Sequence, residues 1–284
     1  MQKVVLVTGA STGIGADTVR CLIEKSFTVV ATVRKDEDEK SLISLYGNKV
    51  KVIKLDVSNL SAIEKVPEIL KEKFQITKLD GLVNNAGVAL AGPFAFQDFA
   101  EVQNIIQINV LSVMKMTQVL IPMLRSETPG RIVNVSSISG KNAAPFLSVY
   151  AASKHAIEGF SEALRKEMLI FGIKVVVVAP GSIKTPIWQK GFVLIKDRYA
   201  QTVFADSFAK FVRFAASAEK YALEVSAVSE VICKALTVDD PCVRYAPTPK
   251  KFVNLFLPKI IPIKIYDKLT AKALGLVNSQ AKIS

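Results

Sequence analysis

The feature that most constrains this chain is a set of short β-branched runs with no polar face. Val4-Val5-Leu6-Val7 and Val175-Val176-Val177-Val178 are apolar at every position. A strand with one wet face alternates apolar and polar residues, so an unbroken apolar run belongs to a strand covered on both faces. Runs of this kind recur at 3–8, 27–33, 50–55, 79–84, 131–136 and 173–179, with a weaker one at 242–246. Segments of helical period lie between them, at 13–25, 59–74, 97–126, 148–171 and 223–236. This alternation predicts right-handed βαβ units and a doubly wound α/β fold: one parallel sheet of about seven strands with helices on both faces. No repeat or linker interrupts it, so residues 1–284 are read as a single domain.

Half of the residues are apolar and 22 % are charged, which excludes a disordered chain. Net charge is +12, from 37 Lys and Arg against 25 Asp and Glu. The lysines are spread and mixed with acids, as in Lys35-Asp36-Glu37-Asp38-Glu39-Lys40. The excess therefore reads as a solvated surface, and no nucleic-acid motif accompanies it. Cys21, Cys233 and Cys242 form no C-x-x-C pair, and the lone His155 cannot complete a zinc site with them, so no metal is expected. Free thiols point to a reducing, cytoplasmic compartment. The opening Lys3–Thr8 stretch is too short and strand-like for a signal peptide, and no run of about 18 apolar residues marks a membrane span.

The first strand runs into Thr8-Gly9-Ala10-Ser11-Thr12-Gly13-Ile14-Gly15 and then a helical pattern. Glycine permits a tight turn and lets backbone approach a phosphate without a Cβ in the way. The following helix N-terminus offers unpaired N–H groups to a pyrophosphate. Gly9, Ser11, Thr12, Gly13, Ile14 and Gly15 are therefore the expected dinucleotide cradle. The second strand ends Val33-Arg34-Lys35, with no carboxylate until Asp36. An acid at this place binds the ribose hydroxyls of NAD, whereas an Arg accommodates a 2′-phosphate. Arg34, with the hydroxyls of Ser11 or Thr12, favours NADP(H) over NAD(H).

The T-G-x-x-x-G-I-G spacing resembles the short-chain dehydrogenase/reductase family, and further motifs match it in order. The resemblance, specific over 3–186, implies a Rossmann-type sheet and the following roles. Asp56-Val57 would sit beside the adenine. Asn84-Asn85-Ala86-Gly87 matches the family's N-N-A-G element, whose Asn85, Ala86 and Gly87 line the cofactor. Asn109 stands where the family has a structural and catalytic Asn, although the Gly often found three residues later is Ser112 here. Pro180-Gly181-Ser182-Ile183-Lys184-Thr185 matches P-G-x-I-x-T, so Pro180, Gly181, Ile183 and Thr185 would hold the nicotinamide end.

In Tyr150-Ala151-Ala152-Ser153-Lys154 the phenol and ammonium stand four residues apart and share a helix face. Ser137 closes the fifth strand, thirteen residues upstream. The family's Ser-Tyr-Lys triad has this order and separation, which makes Ser137, Tyr150, Lys154 and Asn109 the expected catalytic set. Hydride transfer to a carbonyl leaves an alkoxide that must receive a proton. A tyrosine, ordinarily titrating near about 10, suits that task if a neighbouring ammonium favours its phenolate. Lys154 is expected to do this and, with Tyr150, to contact the nicotinamide ribose. Ser137 would bind the substrate oxygen and Asn109 would keep a water behind Lys154. Adjacent Ser136 faces the other side of an extended segment, and His155 lies one step off the Tyr150/Lys154 face.

Two regions break the rhythm. Residues 186–222 carry Trp188, Phe192, Tyr199, Phe204, Phe208, Phe211, Phe214 and Tyr221, an aromatic-rich stretch expected as a substrate lid. It reads equally as core or subunit contact. As a pocket wall it selects an apolar substrate, whereas Lys184, Lys190 and Lys196 would favour an acidic one. The whole looks similar to the hydroxysteroid and retinol dehydrogenase-like branch, which implies a steroid-, retinoid- or lipid-like carbonyl or alcohol, and a homodimer or homotetramer. The C-terminal extension, 247–284, intersperses apolar residues with Lys259, Lys264, Lys268 and Lys272. That pattern suits a membrane surface, or packing over the site or a second subunit. The expected activity is NADP(H)-dependent carbonyl–alcohol interconversion. The alternative is a catalytically idle NADP(H) sensor on the same fold, which usually has lost the Tyr or Lys. Sugar-nucleotide epimerases share both residues, but their glycine spacing differs.

Overall fold

A computed structural model of the chain describes residues 3–185, 187, 198–249 and 257–276. Alternate residues of its strands enter different cores, which is why the strands lack a polar face. Val5 and Val7 pack with Val19, Leu22, Val228 and Ile232 on one side of the sheet. Leu6, between them, packs with Leu70, Met116, Leu120 and Leu164 on the other.

The strands are β1 (Val4–Val7), β2 (Thr28–Val33), β3 (Val50–Lys54), β4 (Gly81–Asn84), β5 (Arg131–Val135), β6 (Lys174–Val178) and β7 (Arg244–Tyr245). All pair in parallel, in the order β3-β2-β1-β4-β5-β6-β7. The order reverses between β1 and β4, and ligands of such sheets bind beyond the strand C-termini at that point.

The helices refine the expected boundaries. α1 (Gly13–Glu24) follows the glycine loop. α2 (Asp36–Tyr46) was read from sequence only as a charged surface stretch. Its first turn holds Asp36, Glu37, Asp38 and Glu39, which complement the helix dipole, and it buries only Leu42. With one buried residue it leaves almost no apolar period to read. The 59–74 segment is two helices, α3 (Leu60–Glu64) and α4 (Val66–Phe74). Pro67 stands in the first turn of α4, where its missing N–H leaves no helical bond unmade.

The 97–126 segment divides into α5 (Phe99–Ile106), a π turn (Gln107–Leu111) and α6 (Ser112–Leu124). Phe99–Leu124 is the one helical run among the described residues long and apolar enough to cross a bilayer. Its Ile108, Met116, Leu120 and Leu124 are spent on the core beneath the sheet. α7 (Ser148–Glu167) continues as a 3₁₀ turn to Phe171. Beyond β6 come helices Ala205–Glu219, Ser226–Thr237 and Ile263–Leu274. The first buries Phe208 and Phe211 of the expected aromatics against Tyr199 and Phe146, whereas Phe214 and Tyr221 are exposed. Trp188, Lys190, Phe192 and Lys196 lie outside the described residues.

Candidate active site

The glycine loop and the β4 end are tied together by one side chain. Thr8 Oγ1 accepts from the amides of Asn85 and Ala86, both at 3.0 Å. Asn85 Nδ2 returns hydrogen bonds to the carbonyls of Thr8 (2.9 Å) and Gly9 (3.1 Å). Gly9 has φ +65°, and a Cβ there would stand 2.9 Å from the Ala86 Cα. Close approach of these loops therefore requires glycine. Gly13, also at positive φ, opens α1, and no side chain caps the helix at Thr12. The first-turn amides are left to whatever lies at the loop.

Arg34 is exposed just past β2 and makes no hydrogen bond or ion pair among the described residues. Beside it Asp56 accepts from Ser58 N (2.9 Å) and Oγ (2.8 Å). The Ser58 hydrogen bonds and the nearby Arg34 charge outweigh partial burial and hold the Asp56 carboxyl below its usual range. Val57 is buried.

The π turn carries Asn109 into the protein. Its Oδ1 accepts from Val88 N (2.9 Å), while Nδ2 donates to Val88 O (2.9 Å) and Ser153 Oγ (3.0 Å). Ser153 in turn donates to the Tyr150 carbonyl at 2.7 Å. A Cβ on Gly87 would lie 3.3 Å from Asn109 Oδ1 and 3.7 Å from Lys154 Nζ, so these three residues are neighbours.

Tyr150 and Lys154 are both buried on the first turns of α7. Burial pushes the Tyr150 phenol above the ordinary value, and the neighbouring Ser137 hydroxyl opposes that rise. Sequence reasoning expected the opposite direction, from Lys154. The ammonium lies 5.9 Å from the phenol ring centroid and donates instead to the Val135 carbonyl at 3.0 Å. Desolvation lowers Lys154 to about 8, against the pull of the Glu158 carboxylate. Ser136 points elsewhere, toward the Lys154 carbonyl at 3.5 Å. His155 is exposed, with Nδ1 on the Ala151 carbonyl at 2.9 Å.

The 180–185 loop is pinned from two sides. Ile183 bridges Leu223 in parallel, with Lys184 N on Leu223 O (2.9 Å) and Leu223 N on Ser182 O (3.0 Å). Gly181 N donates to Pro247 O at 2.9 Å, and a Cβ on Gly181 would overlap Thr248. Pro180 O accepts from Ile138 N at 2.9 Å, beside Ser137. Thr185 is half-buried, and Lys184 pairs with Glu224 rather than facing a substrate.

The family model for short chain dehydrogenases matches residues 3–192. The chain belongs to the short-chain dehydrogenase family. It is 33 % identical over 284 residues to the NADPH-dependent 3-dehydrocapnine reductase of Ornithobacterium rhinotracheale, covering 99 % of this chain and all of that one. It is 32 % identical over 241 residues to the 3-ketodihydrosphingosine reductase of Bacteroides thetaiotaomicron, covering 84 % of this chain and 85 % of the relative. The structure of ElxO with NADP bound superposes with a TM-score of 0.71 at 26 % identity, covering 88 % of this chain and 97 % of that one. The chain is thus an oxidoreductase of a family that interconverts carbonyls and alcohols.

In this short-chain dehydrogenase the departure at Ser112 is absorbed locally. The hydroxyl donates back to the Ile108 carbonyl at 2.6 Å, inside the core. Sequence reading missed the polar ladder that fixes α7 to the sheet. Asn84 Nδ2 donates to Thr117 Oγ1 (3.0 Å) and Asn134 Oδ1 (2.8 Å), and Asn134 Nδ2 donates to Ser161 Oγ (2.9 Å). Its signal was present, since an Asn inside an apolar strand must find buried partners. It also missed the forked pair between Glu158 and Arg244, at 3.0–3.2 Å, which ties α7 to β7.

An aromatic wall stands over the Ser137–Tyr150 segment. Phe146 meets Phe208 and Phe204 edge-on, at 5.4 and 6.1 Å between centroids, and Tyr199 meets Phe208 at 5.2 Å. Phe146 adopts φ +66°, a conformation bulky residues avoid, and these rings hold it there. The only buried side-chain polar atoms without a partner among the described residues are Tyr199 Oη and Gln97 Oε1. Both residues adjoin Gly92 in this wall.

Proposed function

We propose that this chain is an NADPH-dependent carbonyl reductase acting on an apolar, lipid-like ketone, with Tyr150 as its acid–base group. The observation that carries the proposal is a buried Tyr150 beside Ser137, with the buried ammonium of Lys154 one helical turn away. The aromatic wall beside it supports an apolar substrate. The relatives named as a 3-dehydrocapnine reductase and a 3-ketodihydrosphingosine reductase support reduction of a ketone.

The chain's own residues fit the cofactor. Gly9, Ser11, Thr12, Gly13, Ile14 and Gly15 would take the pyrophosphate at the uncapped start of α1, and Arg34 the 2′-phosphate. Asp56 and Val57 would flank the adenine, with Asn85, Ala86 and Gly87 beneath the nicotinamide half. Pro180, Gly181, Ile183 and Thr185 would hold the carboxamide. When bound, the dihydronicotinamide supplies the hydride.

Ser137 then orients the substrate oxygen by a hydrogen bond, and Tyr150 donates its proton to that oxygen as negative charge develops. A phenol raised by burial keeps this proton at neutral pH, which favours reduction over oxidation. Lys154, largely protonated at pH 7 with a value of about 8, holds the ribose and lends positive charge. Asn109 fixes the Val88 backbone and, through Ser153, the turn that carries Tyr150. α5 exposes Phe99, and the 3₁₀ turn after α7 exposes Leu169 and Ile170, which supports a homodimer or homotetramer joined there. The free thiols Cys21, Cys233 and Cys242 accord with a cytoplasmic enzyme.

The test is NADPH oxidation with 3-ketodihydrosphingosine as substrate, beside an NADH arm and Arg34→Asp. The expected result is turnover with NADPH preferred by about tenfold or more, the worth of one charge-assisted hydrogen bond. The preference should vanish in Arg34→Asp. Equal use of both nucleotides by both proteins overturns the phosphate role of Arg34. Tight NADPH binding without turnover of any ketone favours the idle-sensor reading.

A further inference from the structure

The helix Ile263–Leu274 divides into three adjacent stripes at i, i+4 spacing. Tyr266, Thr270 and Leu274 turn inward. Leu274 is buried with Phe146, Phe208 and Phe211, and Tyr266 Oη accepts from Asn142 Nδ2 at 3.3 Å. Asn142 lies in the loop that joins Ser137 to Tyr150, so this helix is bonded directly to the wall of the site. The second stripe, Lys264, Lys268 and Lys272, is exposed. The third presents Ile265 (52 % exposed) and Leu269 (55 %).

We propose that this outer face docks the enzyme on an anionic lipid bilayer, placing the mouth of the site where an apolar substrate resides. Two observations select that occupant. Between 263 and 274 the helix carries three lysines and a single acid, Asp267, so the face is basic beside its apolar stripe. Lysines flanking an apolar stripe match the anionic headgroups and acyl boundary of a membrane surface. A second copy of the same face would set the two lysine rows against each other, which costs energy at a self-complementary interface. The side chains facing the helix interior are already used by the catalytic wall, so docking needs no rearrangement of the fold.

The bilayer contact rests on the helix alone, whereas its use for substrate supply rests on the reading of an apolar ketone. The experiment is co-sedimentation of the full chain with vesicles of phosphatidylcholine alone or mixed with phosphatidylglycerol, at low and high salt. Two variants accompany it, Ile265→Glu with Leu269→Glu, and Lys264→Glu with Lys268→Glu and Lys272→Glu. All five residues are exposed, and reduction of a water-soluble ketone monitors the folded site. The expected result is binding to the phosphatidylglycerol vesicles that falls about tenfold or more in each variant and with salt, since one lysine near such a surface is worth about fivefold. Binding that is absent, or equal in wild type and variants, overturns the proposal. So does loss of a dimer in the Ile265/Leu269 variant with no lipid binding, which assigns the face to a second copy. Vesicle binding with no ketone turnover leaves docking intact and removes the substrate reading instead.

Discussion

Lys154 donates from inside α7 to the carbonyl of Val135, the last residue of β5, at 3.0 Å. That strand end also aims Ser137, two residues on, so a single contact sets the ammonium relative to the serine.

Replacing Lys154 with Met should separate activity from stability. Reductase kcat should fall by about 10²–10⁴, the usual worth of one acid–base group. The fold should hold, because a buried ammonium is a cost that burial has already shown by lowering Lys154 to about 8 from an ordinary 10.5. Between those values the unfolded chain keeps a proton the folded chain has lost, so wild-type stability rises with pH across that window. Urea midpoints at neutral pH and near about pH 10 check this. The expected result is a smaller pH dependence in Lys154→Met, with no loss of midpoint at neutral pH.

The pH–rate profile follows from the same two groups. Reduction needs a protonated Tyr150, which burial holds above the ordinary phenol value, and a charged Lys154 at about 8. The rate of reduction should be level at neutral pH and fall on the alkaline side, with Lys154 titrating first. Alcohol oxidation should rise over the alkaline range until Lys154 loses its charge. Steady-state rates in both directions, as kcat against pH, measure this.

Glu158 is 5 % exposed and Arg244 27 % as side chains, and their forked pair joins α7 to β7. Glu158→Gln leaves the guanidinium half-buried without its counter-charge and should cost about 2–4 kcal/mol in urea denaturation. It also removes the one carboxylate that raises Lys154. The alkaline fall in reductase rate should therefore move to lower pH, a change that lost stability alone does not produce.

Tyr199 offers the reverse case. Its hydroxyl is buried against Gly92 without a partner among the described residues. Removing an unsatisfied buried hydroxyl relieves a desolvation cost of about 1–3 kcal/mol. Tyr199→Phe should keep or raise Tm, measured by thermal unfolding. A fall of several degrees indicates that the hydroxyl is hydrogen-bonded in solution.

The sheet was legible because its strands are apolar on both faces, and Val5 and Leu6 do enter opposite cores. The glycine loop and the Tyr150/Lys154 pair were legible because their spacing is local. α2 was not, since a helix that buries only Leu42 has no stripe to detect. The π turn at Asn109 was hidden as well, because one extra residue in a helix leaves the surrounding pattern intact. Contacts between distant segments, such as Thr8 with Asn85 and Arg244 with Glu158, have no local period at all. The direction of the Tyr150 shift was misjudged because four residues of helix fix a shared face, not where a flexible ammonium finds its hydrogen bond.

The central claim is that Tyr150 supplies the proton. Its most direct measurement is ketone-dependent NADPH oxidation by Tyr150→Phe beside wild type, with NADPH affinity read separately by fluorescence titration. The expected result is a kcat lower by about 10²–10⁴ with nucleotide affinity within about threefold of wild type. A phenylalanine variant that retains most of the wild-type rate contradicts it.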